Sequence, residues 1–506
     1  MKLSSYLKNI DSVIAAAIGY YAIYLYTKYN GIGISPDSIM YTSAARSFHA
    51  TGSLTTFNGH AIVDFPVFYP IFLGLTFFIS GIDPVAAGPV IDGLLFAGVI
   101  LISGLLMQHF AAKSTIYKWL VLGAIILSPA LLQIYTYLWS ETLFIFLVFA
   151  FFITFSQYLK THTYITLVVA ALVAGISCIT RYAGITVIGT GCLLLLIESA
   201  LPFKQRWKRI FIFGAISCSL LIANLIRNHI VSGTGTGPRE ASITGFWQNM
   251  IYFGGTIVDW VTIPSEADSV ALAVAIITIV ALMIALWFHA FRKNLNNYLV
   301  IAITFSLIYG LFIVVSSTFS RYERINDRLL APMYIPTIWA LTWWIIHMHK
   351  RWSQAYKIPV YVLFGICALV IEYRLYKVDY QRWDDQRDYG NPGYADDDWK
   401  DSGIVKFMRS NNAFFKTDAP IYSDAPEAVY FLGGHAGIKL LPHRYFPKSV
   451  EKFLEQKHYY LIWFDNLDNP ELINLKYIQQ KKNLKKLQQF GDGSIYEYSE
   501  SDQPAK

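Results

Sequence analysis

Ser35-Pro36-Asp37-Ser38-Ile39-Met40-Tyr41 sets an acid one residue after a proline, just beyond the first long apolar run of the chain. Proline fits the first turn of a helix and Ser35 is placed to cap it. Asp37 then lies in the opening turn, where the helix dipole favours the ionised form. A carboxylate held charged at a membrane face is a candidate general base. Tyr41 follows four residues later and shares its helix face. The same loop carries Arg46, His60, Asp64, Pro66, Tyr69 and Pro70. Tyr41, Arg46, Asp64 and Tyr69 are the candidate substrate-binding residues.

A second acid, Glu141, stands with Ser140 in Leu138-Trp139-Ser140-Glu141-Thr142-Leu143-Phe144, again where an apolar run begins. Either acid alone serves equally well as a helix cap; two at neighbouring helix starts on one face suggest a shared site. Three arginines close helix ends on that face: Arg181, Arg227 and Arg328. Their planar forks suit a phosphate at the membrane surface. The alternative for each is snorkelling to lipid headgroups or pairing with acids such as Glu323 and Asp327. Residues 379–398 mix aspartates with Tyr380, Trp383, Tyr389 and Tyr394, which reads first as a solvated linker. Asp424 and Glu427 read as turn and helix-start residues. No histidine or cysteine spacing indicates a metal site. No cofactor is called for, and a divalent metal, though compatible with the chemistry, is indicated by nothing in the sequence.

The elements that must position these groups are membrane spans. Of 506 residues, 55% are hydrophobic and 15% charged, where a soluble chain carries about 25% charged. Runs near the 20 residues needed for a span occur at about 12–29, 85–110, 117–135, 139–159, 164–180, 182–200, 209–228, 270–291, 297–317, 329–347 and 357–376. Eleven transmembrane helices are expected. Lys2, Lys8, Lys113, Lys118, Lys160, 204–209, Arg292, Lys293 and 350–357 then fall on one side, the cytoplasm. This clustering explains the net charge of +7 without nucleic acid. Phe65 to Gly81 is short and contains Pro66 and Pro70, so it reads as an interfacial or re-entrant helix within the outer loop 30–84. After about residue 376 the chain turns polar. Candidate strands are Ala419 to Ser423, His458 to Phe464 and Ser494 to Tyr498, with helices near 398–410, 426–432 and 470–480. The domains are therefore 1–376 in the membrane and 377–506 as a small soluble α/β domain. An odd span count puts that domain outside.

Taken in order, these motifs resemble the membrane-embedded C-type glycosyltransferases, which include the protein mannosyltransferase and aminoarabinose transferase families. The matching stretches are the Asp37 loop with Ala44-Ala45-Arg46 and Gly52, Pro66 to Leu75, Ser140-Glu141, Thr180-Arg181-Tyr182-Ala183-Gly184, Arg227-Asn228 and Arg328 to Pro332. Together they span about residues 10 to 345, and 402–445 looks like the outer domain of bacterial members. The sequence departs at Asp64-Phe65-Pro66, where aminoarabinose transferases carry a lysine before the proline. The resemblance implies the C-type (GT-C) fold, a bacterial inner-membrane location and a polyprenyl-phosphate sugar donor used outside the cytoplasm. It also implies an acid in the first outer loop as the base, here Asp37; Glu141, at the neighbouring helix start, is its candidate partner or substitute, and the expected acceptor is a lipid, glycan or protein. The competing class is a transporter or lipid flippase, whose mark is ionisable residues near the membrane midplane.

Overall fold

The computed structural model describes residues 9–500 except 112–113, 238, 263–266, 293–294, 296, 322, 349–353, 412, 416–418 and 468. Lys2, Lys8, Lys113, Lys293 and residues 350–353 of the last basic stretch lie outside the described residues. The chain is a polytopic helical membrane protein. Each expected span falls on a helix: α1 (Ile10–Thr27), α4 (Pro84–Ala111), the pair α5 (Thr115–Ile126) and α6 (Pro129–Tyr135), α7 (Ser140–Thr161), α8 (Tyr164–Thr180), α9 (Ile185–Ile197), α10 (Phe203–Ser232), α12 (Asp268–Phe291), α13 (Tyr298–Phe319), α14 (Asp327–Met348) and α15 (Gln354–Tyr389). These helices differ in length and apolarity. Among the described residues, seven helices are long and apolar enough to cross a membrane, or eight if α5 and α6, bent by 53°, form one span. The bend falls where Ser128 caps α6 and Pro129 begins it. Of the rest, α8 and the 182–197 segment are apolar but shorter, and α14 carries Pro332 and Pro336.

Lys118, from α5, pairs with Asp11 at the start of α1 at 2.7 Å, and Arg209 donates to the His162 carbonyl at 2.6 Å. Both contacts lie at the end of the bundle away from Asp37 and Glu141. At the other end, α2 (Pro36–Thr51) and α3 (Phe68–Ser80) pack on each other. Only 13 residues long, α3 would reach about 20 Å, short of the ~30 Å hydrocarbon core. Gly74 permits the close approach, because a Cβ there would stand 2.7 Å from Phe48 and 3.1 Å from the Ala45 carbonyl. A further helix, α11 (Phe246–Asp259), occupies the second long outer connection and packs on α12.

Beyond α15 come α16 (Asp397–Asp401), α17 (Gly403–Ser410), β1 (Ile421–Ser423), α18 (Pro426–Gly433), β2 (Lys439–Leu440), α19 (Pro447–Leu454), β3 (His458–Phe464), α20 (Leu475–Lys481), β4 (Lys485–Phe490) and β5 (Gly493–Ser499). The sheet order is β2-β1-β3-β5-β4. Strands β2, β1 and β3 run parallel, and β5 and β4 continue antiparallel. The apolar run of β3 fits its central place. Asp424, just after β1, accepts the Phe464 backbone N–H at 3.2 Å and ties the ends of β1 and β3.

This domain sits on the loop between α1 and α4. A small hairpin there pairs Thr55 with Ala61. Phe57 at its tip stacks on Tyr430 of α18 at 4.8 Å, and the Phe57 carbonyl accepts the Gly437 N–H at 3.0 Å. The Tyr394 N–H donates to the Ile34 carbonyl at 2.8 Å. Gly393, at φ +97°, lets the chain pass there, since a Cβ would stand 2.3 Å from that carbonyl. Arg321 reaches Glu240 and Glu471 at 2.8 Å each, joining two outer loops to the soluble domain.

Candidate active site at clustered helix ends

Helix α2 begins as its sequence dictates. Ser35 and Ser38 form a reciprocal capping box, Ser38 N–H to Ser35 Oγ at 3.3 Å and Ser35 N–H to Ser38 Oγ at 3.1 Å, with Pro36 in the first turn. Asp37 is thereby fixed at the helix start with its side chain 27% exposed. Helix α7 starts beside it. Trp139, just before α7, donates its indole N–H to Ser35 Oγ at 2.7 Å, so one hydroxyl joins both helix starts.

Across these two starts lies Arg328, from the first turn of α14. Its Nη2 bonds Asp37 Oδ2, its Nε bonds Glu141 Oε1 at 2.6 Å, and its guanidinium lies over the Trp139 ring at 4.1 Å. The second Glu141 oxygen meets Arg181 Nη1 at 2.7 Å, and that nitrogen also reaches Ser140 Oγ at 2.9 Å. Tyr41 OH lies 3.2 Å from the same Ser140 oxygen. Glu141 is fully buried; it survives as a carboxylate there because two guanidinium groups face it. The cluster holds two negative and two positive charges, with Glu323 3.9 Å from the remaining Arg328 nitrogen.

Asp37, Glu141, Arg181, Arg328 and Tyr41 thus come together, although Asp37 and Arg328 are 291 residues apart. The other expected residues do other things in this structure. Arg227 Nη1 bonds the Ile62 carbonyl and Asn228 Oδ1, while Asn228 reaches the Val63 and Gly235 carbonyls at 3.3 and 2.8 Å. That pair braces the 62–64 strip against α10. Asp64 is exposed at the end of the strip, where Arg239 donates to its carbonyl at 3.4 Å. Arg46 forms a fork with Asp83, at 2.7 and 3.0 Å, and clips α2 to the start of α4. Tyr69 is buried, its ring edge-to-face with Tyr41 at 5.0 Å. Among the described residues no three His, Cys, Asp or Glu side chains gather as a metal-holding group.

Three participants escaped the sequence reading. Trp139 was legible only as part of a motif, with nothing to show that it would underlie an arginine. Glu427, at the start of α18, lies within electrostatic reach of Asp37; burial, then the Asp37 charge, push its carboxyl upward. Asp92 lies inside α4, fully buried. It interacts with Tyr69, Tyr135 and Thr142. A single acid in an apolar run gives no periodic signal.

No family model matches the chain, and no curated protein matches its sequence. Solved structures do match in shape. ArnT from Cupriavidus metallidurans in the apo state superposes over 100% of both chains, with a TM-score of 0.57 at 11% identity. The same protein bound to undecaprenyl phosphate gives 0.56 at 10% identity over 98% of both. The archaeal oligosaccharyltransferase AglB from Archaeoglobus fulgidus, in complex with an inhibitory peptide and a dolichol-phosphate, gives 0.57 at 12% identity, over 100% of this chain and 75% of that one. The chain therefore has the fold that its motif order resembles, the GT-C fold.

Proposed function

We propose that this protein is a glycosyltransferase that moves a sugar from a polyprenyl-phosphate donor to an acceptor hydroxyl at the outer membrane face. The observation that carries the reading is the Asp37–Arg328–Glu141–Arg181 array. It joins a partly exposed carboxylate to two guanidinium groups at the ends of four helices. Two structures of this fold hold polyprenyl-type phosphates, which supports the donor class.

The chemistry follows from the array. A glycosyl phosphate already carries a good leaving group, so no strong general acid is needed. The acceptor oxygen attacks the anomeric carbon as the carbon–oxygen bond to phosphate breaks, and Asp37 takes the acceptor proton. Arginine donors at the site stabilise the charge that grows on the departing lipid phosphate. A single displacement inverts the anomeric centre. Glu141, buried between two arginines, orients them rather than reacting. The expected location is the bacterial inner membrane, with Asp37 and the soluble domain outside the cytoplasm. A phosphatase fused after Lys506 should then be active only on that side.

The test is purification in detergent and identification of the polyprenyl-linked sugar that the protein consumes. Asp37→Asn should abolish that consumption while the protein stays folded. If the wild-type chain consumes no such donor, or if Asp37→Asn turns over normally, the reading fails.

A further inference from the structure

Arg328 is fully engaged. Asp37 and Glu141 take its Nη2 and Nε donors, Trp139 covers a face of the guanidinium, and Glu323 stands off Nη1. A lipid phosphate approaching this array meets a charge-balanced cluster, not a bare cationic pocket. The two carboxylates on Arg328 are not equivalent. Glu141 is fully buried and pinned by two arginines, whereas Asp37 is 27% exposed and, among the described ion pairs, meets Arg328 alone.

We infer that Arg328 is an exchange residue: the donor's phosphate takes the Nη edge of Arg328 from Asp37, so that donor binding releases the base. The inference rests on the function proposed above. It requires Glu141 to hold Arg328 through Nε throughout, leaving the Nη1–Nη2 edge to serve first the carboxylate and then the phosphate. Asp37 holds this edge through Nη2, and a phosphate that takes the edge by its parallel N–H pair competes with the carboxylate for that nitrogen. The order of events is then donor before acceptor. Without phosphate on Arg328, Asp37 stays paired through Oδ2. Thermodynamic reciprocity makes this checkable without knowing the sugar or the acceptor, since whatever weakens the Asp37–Arg328 pair must tighten phosphate binding by the same factor.

The experiment measures undecaprenyl phosphate binding to the detergent-purified full chain, with undecaprenol and inorganic phosphate as separate arms. Asp37→Asn keeps the shape but gives up the ionic claim on Arg328, so it should bind undecaprenyl phosphate about 5- to 50-fold tighter than wild type. Arg328→Lys removes the fork, and in that background Asp37→Asn should give less than about twofold tightening. Undecaprenol should show no difference between variants. A matching gain for inorganic phosphate would assign the exchange to the phosphate group itself, and a gain for the lipid alone to the lipid-linked phosphate; either keeps the exchange. Equal or weaker binding by folded Asp37→Asn would overturn it, as would the same gain in the Arg328→Lys background. Absence of undecaprenyl phosphate binding by every variant and by wild type would instead remove the function on which the inference rests.

Discussion

Two acidic regions lie close together near the outer ends of α2, α4 and α7, and they differ in how their carboxylates are held. Asp37 and Glu141 face arginines, and Asp37 keeps partial access to water. Asp92, with Tyr69, Tyr135 and Thr142 around it, is sealed and faces no cation among the described residues. The first arrangement pairs each acid with a cation. The second costs stability, because an acid is buried without a paired charge. A carboxylate in a membrane protein is thus defined by its neighbours more than by its depth.

The largest effect expected from this contrast is kinetic. Asp37→Asn should lower donor turnover by 10²- to 10⁴-fold, the usual value of a general base, with little change in melting temperature. Asp92→Asn should leave turnover within a few-fold; an equal loss in both would erase the distinction. Glu141→Gln comes next. It leaves Arg181 and Arg328 without their shared buried partner and should cost about 3–5 kcal/mol of stability, read by thermal unfolding in detergent. Asp92→Leu should move the other way, stabilising by roughly 1–3 kcal/mol, because a buried acid without a cation gives way to an apolar group of similar size. A fall in melting temperature would show that the pocket holds a partner for the acid. Arg46–Asp83 should give the smallest effect. Both side chains are about one-third exposed, so a double-mutant cycle should return at most about 1 kcal/mol of coupling.

Segments with a strong local cause could be read from the sequence, and contacts made across the chain could not. The apolar runs located every helix that crosses the bundle, and Ser35-Pro36 announced the start of α2. The 229–269 connection read as loop because α11 is a single amphipathic helix between irregular pieces. In the C-terminal domain, β1, β3 and β5 are mostly buried, β3 as an apolar run, whereas β2 has two residues and β4 is mostly exposed with a register shift at Lys486–Gln488. At the candidate site, Asp37 and Glu141 were visible as acids at helix starts. Their sharing of Arg328 depends on three distant helices ending at one height, which no local pattern encodes. Arg227 illustrates the reverse, since its position at a helix end said nothing of the 62–64 carbonyls that it braces.

Helix α15 continues beyond the point where the composition turns polar and runs unbroken to Tyr389. Its 36 residues span about 54 Å, against ~30 Å of hydrocarbon. Its outer part is lashed to the bundle. Tyr26 OH donates to the Asp379 carbonyl at 2.6 Å, Arg382 to the Pro129 carbonyl at 2.8 Å, and Trp383 to the Leu25 carbonyl at 3.3 Å. The helix therefore acts as a mast whose rotational phase decides which side of the soluble domain looks down on α2. Inserting one residue near Tyr373 would turn everything above by ~100° and lift it by only ~1.5 Å. Inserting seven would raise the domain by ~10 Å but return it to nearly the same bearing. Heading and altitude are separate settings of one helix, and α18 faces Asp37 only when both are right.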